Sequence, residues 1–210
     1  MTRKYLVGAA LAVLTTLGVL TACSESAANH DTGTAPDATA PSGEHNDADV
    51  AFLQQMIPHH AQAVEMSTLV KDRTTTAPVV DLAGRIEKAQ GPEIKKMTDW
   101  LESWSESTTP PAAPSASGDN SMPGMDHGSH GSGMPGMMSE EELAKLEKAT
   151  GAAFDQQWLS MMVAHHQGAV DMATTEIADG SNAEVKALAQ RIVDAQQAEI
   201  KEMQGLLGKS

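Results

Sequence analysis

Two adjacent histidine pairs, His59-His60 and His165-His166, stand 106 residues apart, each in the same company of methionines. Met56 lies three residues before His59 and four before His60, and Met162 stands likewise before its pair. Met66 and Met172 follow seven residues after the first His of each pair, two helical turns along the same face. Thioether and imidazole together favour soft or borderline ions such as Cu(I). Neighbouring side chains diverge by about 100° on a helix, so an adjacent pair does not chelate as an i, i+4 pair does. One His of each pair is therefore expected to ligate while the other packs or bonds a carboxylate. Glu93 and Glu199 again match at 106 residues and are the carboxylates available, either to orient an imidazole or to ligate. Their competing use is a buried ion pair with Arg85 or Arg191, eight residues earlier. Methionine alone would be ordinary core filler. Histidine and methionine duplicated at the same offsets argue for metal.

A second constellation lies between the two. Ser121–Met138 holds Met122, Met125, Met134, Met137 and Met138, with His127 and His130, and contains no Leu, Ile, Val, Phe or Trp. Methionines in a stretch with no other apolar residue have no core to fill, so they are expected to be accessible donors. Thioether and imidazole on flexible backbone select Cu(I) and, by the same softness, Ag(I). The plainer alternative is a solvated linker of accidental composition.

The elements that position these residues follow from an internal repeat. Asp49–Leu101 aligns with Asp155–Leu207 without a gap, and 22 of 53 positions are identical. At 100° per residue Asp49, Phe52, Leu53, Met56, His59, His60, Ala63, Val64 and Met66 fall within an arc of roughly 160°, with Gln54, Ala61, Gln62 and Glu65 outside it. The second half of each repeat is helical in period too. Val79, Leu82, Arg85, Ile86, Ala89, Gln90, Glu93 and Met97 share one face, as do their counterparts 106 residues on. Thr76 and Asn182 are N-cap candidates for those helices, and Ser139 with Glu142 reads as a capping box for a short lead-in helix that breaks near Thr150-Gly151. Each repeat is thus a helix hairpin, and two hairpins bury one another's stripes as an all-α four-helix bundle. Pro58, where the second copy has Ala164, is expected on the outer side and should kink the first helix.

The remaining segments read by composition. Residues 1–22 carry Arg3 and Lys4 before an apolar run and lead to Leu20-Thr21-Ala22-Cys23, which resembles a bacterial lipobox. Cys23, the sole cysteine, is then the lipidation site, and two or more acyl chains on it would hold the mature protein to a membrane outside the cytoplasm. Residues 23–47 are expected to be a flexible tether and 105–138 a disordered Met/His-rich linker. Residues 48–104 and 139–210 are the two hairpins of one bundle domain. The formal charge of −14, or −16 once Arg3 and Lys4 leave with the leader, excludes nucleic-acid binding through phosphate neutralisation. A single Cys excludes an internal disulfide and a thiolate zinc cluster. Aromatic residues make up only 3% of the chain, too few for an ordinary β-sandwich or barrel core. No phosphate-binding Gly-rich loop, nucleophile elbow or His-Glu-x-x-His motif is present. No Glu is followed by a His three residues later, which argues against a carboxylate-bridged di-iron enzyme.

At the motifs F-L-x-x-M-I-P-H-H-x-x-A-V-x-M and M-M-V-A-H-H-x-G-A-V-D-M the chain resembles the family catalogued as domain of unknown function 305, over roughly residues 47–208. The resemblance implies a ferritin-like four-helix fold. Some exported members, the CopM-like proteins, are linked to copper binding and copper tolerance. It implicates Met56, His59, His60 and Met66, with Met162, His165, His166 and Met172, and does not extend to the linker. The combined expectation is an exported, membrane-anchored lipoprotein, not an enzyme, that binds copper, favouring Cu(I), for sequestration, tolerance or hand-off. A copper-handling protein or a second copy of the chain are the protein partners it leaves open. The rivals are a di-metal redox enzyme and a metal-independent envelope interaction protein.

Overall fold

The computed structural model describes residues 41–110 and 133–208. Among these residues there are five helices and no strand: α1 (Asp47–Arg73), α2 (Ala77–Ser103), α3 (Glu140–Lys148), α4 (Gly151–Asp179) and α5 (Ala183–Leu207). The fold is all-α, a ferritin-like four-helix bundle made of two repeated hairpins, α1–α2 and α4–α5. Helix α1 packs on α4, and the short α3 lies against α4.

Local chemistry sets the helix ends. Asn46 and Asp49 form a capping box at the start of α1, and Ser139 and Glu142 form the expected one at α3. Asn182 caps α5 with its own side chain, but Thr76 gives α2 no side-chain cap. Its hydroxyl is turned instead to Asp155 Oδ2, 2.6 Å away on α4. The repeat-equivalent aspartate, Asp49, reaches across in the same sense and accepts hydrogen bonds from the Ser181 and Asn182 backbone and the Ser181 hydroxyl. The aspartate of each hairpin's first helix therefore holds the turn of the other hairpin. Helix α1 continues without interruption through Pro58, and α2 through Pro92.

The buried side chains divide into two apolar clusters. One joins Phe52, Leu53 and Met56 of α1 to Met97, Trp100 and Leu101 of α2, and to the 169–173 and 185–193 stretches of α4 and α5. The other joins Ala63, Met66 and Val70 to Val79, Leu82 and Ile86, and to Phe154, Trp158, Met162 and Met203. Each fully buried Leu, Met or Phe contributes roughly 1.5–3 kcal/mol. On all four long helices the residues between the clusters are polar: His59 and His60, Gln90 and Glu93, His165 and His166, Gln196 and Glu199. The bundle has a polar waist between two oily halves.

Several boundaries differ from the sequence reading. Residues 41–46, expected to be tether, dock on the helices: the His45 ring stacks on Trp104 at 4.0 Å, and Asn182 Nδ2 donates to the carbonyls of Ser42 and Glu44. The near end of the expected linker is held by Gln54, whose side chain donates to the Ser107 carbonyl. Its far end, residues 133–138, packs on α1 and α4. Gln54 and Gln62, placed outside the inner stripe by their helical angle, are buried because these two segments cover them. Arg85 and Arg191, placed inside it, are exposed. A long cation keeps its head in water, and the Arg85 guanidinium pairs with Glu202 of α5 at 2.6 Å, not with Glu93.

Candidate metal centre

The waist is built from the middle turns of four helices. His59, His60 and His166 are fully buried and His165 is 1% exposed. The two members of each pair play different parts. His60 Nε2 donates to Glu93 Oε2 at 2.8 Å, and its repeat partner His166 Nε2 donates to Glu199 Oε2 at 2.8 Å. The divergence of adjacent side chains around a helix sends the other member inward. There the His59 and His165 rings meet with centroids 3.8 Å apart and an interplanar angle of 36°.

Hydrogen bonding fixes the tautomers. An imidazole that donates from Nε2 leaves Nδ1 as a bare lone pair. His60 and His166 are in that state through their carboxylates, and His59 is too, because its Nε2 donates to the Pro135 carbonyl at 3.0 Å. The Nδ1 atoms of all four histidines are buried without a hydrogen-bond partner, and so is Nε2 of His165. The side-chain oxygens of Gln90 and Gln196, in the same waist, also lack a donor. A buried acceptor with no donor costs about 1–3 kcal/mol. Seven unpartnered polar atoms therefore lie in one layer, six of them acceptors and one the N–H of the neutral His165 ring. Burial, reinforced by the neighbouring His60, pushes His59 down to about 3. Burial likewise holds His165 well below the ordinary histidine value. Both are neutral imidazoles at neutral pH, the form that ligates.

Whether this layer fits a metal turns on donor type and convergence. The donors fit copper: neutral imidazole nitrogens, amide oxygens, and thioethers of Met56 and Met162 less than two turns away on the same helices, both fully buried. Among the described residues no three His, Cys, Asp or Glu side chains converge on one point. His59 and His165 lie ring against ring at a 36° tilt instead, so a bound ion requires one ring to turn.

The other expected donors are scattered. Met66 packs with Trp158, whose indole N–H donates to the Met66 carbonyl at 3.1 Å, in one apolar half. Met172 lies in the other half. Glu93 and Glu199 sit where an imidazole-orienting carboxylate should. Met134 is half-buried, and Met137 and Met138 are buried, Met138 among the core residues around Leu146 and Trp158. The expectation that linker methionines have no core to fill fails at Met138, because the core it joins belongs to the helices. Met122, Met125, His127, His130 and Cys23 lie outside the described residues.

Three residues missed from the sequence hold residues 133–138 over the waist. The Gln62 side chain grips the Met138 backbone twice, accepting from its N–H at 2.8 Å and donating to its carbonyl at 2.9 Å. Gly136, at φ +77°, and Gly168 allow backbone to lie on backbone. A Cβ on Gly168 would strike the Pro135 carbonyl, and one on Gly136 would stand 2.7 Å from the Ala164 carbonyl. Pro135, brought there, supplies the acceptor for His59. A trace of this is visible in the repeat: Gln62 aligns with Gly168, a mismatch beside an otherwise matched motif.

Comparison with known proteins agrees with this architecture. The model for the domain of unknown function 305 family matches residues 49–207. A DUF305 protein from Streptomyces coelicolor, described as secreted, is 33% identical, with 77% of this chain and 93% of that chain covered and a TM-score of 0.66. A DUF305 fragment from Deinococcus radiodurans is 30% identical, with 80% and 100% covered and the same TM-score of 0.66. CopM, solved in Cu(I)- and Cu(II)-bound forms, is 27% and 28% identical, with 77% of this chain and 96% of CopM covered and a TM-score of 0.58. Comparison with functionally curated proteins gives no match. By the match over both hairpins and the intervening segment, the chain belongs to the DUF305 family.

Proposed function

We propose that the protein is an exported copper-binding protein, tethered to a membrane through Cys23, that sequesters or hands off Cu(I). The observation that carries this reading is the waist: neutral imidazoles and amide oxygens with buried lone pairs and no donors. A cation is what such a layer lacks, and neutral nitrogen beside thioether selects a soft one. The copper-bound forms of CopM, one with Cu(I) and one with Cu(II), on the same fold at 27% and 28% identity, support copper as the metal.

In this reading the waist histidines and Met56 and Met162 hold the ion. Glu93 and Glu199 set the ring orientation of His60 and His166. Met122, Met125, His127, His130 and Met134 provide the soft donors of a capture step. The role is binding, not turnover, since the chain has none of the Glu-x-x-His pairs that build an oxygen-activating di-iron site. Export follows from the leader-like residues 1–22 and agrees with the secreted description of the Streptomyces relative.

The test is a Cu(I) titration of the full chain against a competing chelator, with excess Mg²⁺ to occupy weak acidic surface sites. The partner measurement replaces all four waist histidines by Gln. Tight binding lost in the quadruple variant supports the reading. Binding no better than the chelator control, or unchanged in the variant, overturns it.

A further inference from the structure

Three residues after the inner histidine the two copies of the repeat differ: the first has Gln62 and the second Gly168. Residues 133–138 use both. The Gln62 amide closes two hydrogen bonds on the Met138 backbone, and the bare Gly168 lets the backbone of Pro135 and Gly136 lie against α4. The segment thus touches both histidine-bearing helices beside the His59–His165 contact. Seating Met138 among the core residues around Leu146 and Trp158 accounts for its far end. It does not account for a proline carbonyl delivered to a buried imidazole.

The four waist rings are not held alike. His60 and His166 each donate Nε2–H to a glutamate of their own hairpin, Glu93 and Glu199. No carboxylate reaches His59; the Pro135 carbonyl, at 3.0 Å from Nε2, takes that place. A carbonyl only accepts, so this contact exists with the proton on Nε2 and the lone pair on Nδ1, which is buried without a partner. The segment therefore gives His59 the same tautomer that the glutamates give the other two.

We propose that residues 133–138 are a positioning strap for the metal centre: the Pro135 carbonyl holds His59 as an Nδ1 ligand, so that docking of the strap and binding of Cu(I) strengthen one another. The ion and its place in the waist rest on the proposed function above. Ligation at Nδ1 releases no proton and leaves the Nε2–H to carbonyl bond intact. A cation on the ring draws electron density from it and makes that N–H a stronger donor. The coupling is reciprocal: whatever factor the docked strap adds to Cu(I) affinity, Cu(I) adds to docking. With His59 fixed, His165 is the ring that turns; neither of its nitrogens has a partner in hydrogen-bonding geometry, and only the His59 backbone is near. Lifting the strap weakens the hold on the ion, which gives the protein a route to release it.

Two amides report docking: the Met138 N–H donates to Gln62 at 2.8 Å and the Met137 N–H to the Met134 carbonyl at 3.3 Å. The experiment takes three readings on the full chain. They are nitrogen-15 spectra of the histidine rings without metal, Cu(I) affinity against a competing chelator, and exchange at these two amides with and without Cu(I). Wild type is expected to show His59 protonated at Nε2 alone, and exchange slowed by Cu(I). Gly168→Ala and Gln62→Ala are expected to let both His59 tautomers appear and to weaken Cu(I) binding by roughly 10–100-fold. Gln62→Ala, which inserts nothing beneath the strap, carries the test if Gly168→Ala disturbs α4. Affinity and tautomer unchanged in both variants overturn the strap, while Cu(I) binding by wild type leaves the waist standing. Weaker binding with the His59 tautomer unchanged also overturns it, because the segment is then only a cover. So does exchange speeded by Cu(I), since the ion has then taken Nε2 from Pro135. If wild type binds no Cu(I), waist and strap fail together.

Discussion

His59 and His165, the same position in two copies of one repeat, bring their imidazoles to 3.8 Å between centroids, tilted by 36°, in the centre of the bundle. His59 satisfies its Nε2 on the Pro135 carbonyl, whereas both ring nitrogens of His165 are without a partner. The symmetric pair is thus asymmetric in its bonding, and the unsatisfied member is the one a ligand would stabilise most. A duplicated motif has produced two inequivalent groups because the covering segment, residues 133–138, exists on one side only among the described residues.

Replacing His165 by Leu removes two buried unpartnered nitrogens while nearly keeping volume. The metal-free protein is expected to gain about 1 kcal/mol or more in stability and to lose affinity for Cu(I). Urea unfolding beside a chelator competition checks both. A loss of stability in the metal-free variant would mean that His165 is satisfied in solution.

The orienting carboxylates act through His60 and His166. Glu93→Gln and Glu199→Gln keep shape and some hydrogen bonding but remove the charge. Each is expected to lower Cu(I) affinity by roughly 10–100-fold with little effect on helicity. Competition titrations with circular dichroism as the fold control decide it, and unchanged affinity in both would make the pairs purely structural.

Two opposed pH dependences are built into the metal-free bundle. His59 and His165 have folded values below the ordinary histidine value of 6.5, so the unfolded chain binds protons first as pH falls. Stability is therefore lost from about 6.5 downward, towards about 3 for His59. Burial, and a proton shared with the Asp49 carboxylate, raise Glu176 from 4.5 to about 8, so the unfolded chain releases its proton first, and stability falls as pH rises across that window. Thermal melting between pH 4 and 9 is expected to flatten on the alkaline side in Glu176→Gln and on the acid side when His59 and His165 are both Gln.

Residues 133–138 rest on backbone-to-backbone contact. Gly168→Ala is expected to dislodge them, because its new Cβ meets the Pro135 carbonyl. Gln62→Ala should weaken the same segment by roughly 1–3 kcal/mol through two lost buried hydrogen bonds. Hydrogen exchange at Met137 and Met138 reads this directly. Protection unchanged in both variants would place the hold elsewhere.

The crosswise aspartates differ in load. Asp49 accepts from the backbone of Asn46, Ser181 and Asn182 and from the Ser181 hydroxyl, while Asp155 accepts from the Thr76 hydroxyl and leaves Oδ1 unpartnered. Asp49→Ala is expected to cost more than Asp155→Ala by at least about 1 kcal/mol, measured by chemical unfolding.

The sequence by itself determined the two hairpins, their lead-in helix and the layer that carries the histidines. Those follow from periodicity and from the 106-residue repeat, which are properties of single helices and survive in any packing. It also indicated that adjacent histidines would divide their roles, since their divergence is set by the helical angle. The tertiary structure alone decided which member meets its counterpart ring and which bonds a carboxylate, because angle around an axis says nothing of distance between axes. It decided that Gln54 and Gln62 are buried, that Arg85 turns outward to Glu202, and that Met138 joins a core its own segment does not contain. Those outcomes depend on contacts between residues far apart in the chain, such as Gly136 with Gly168.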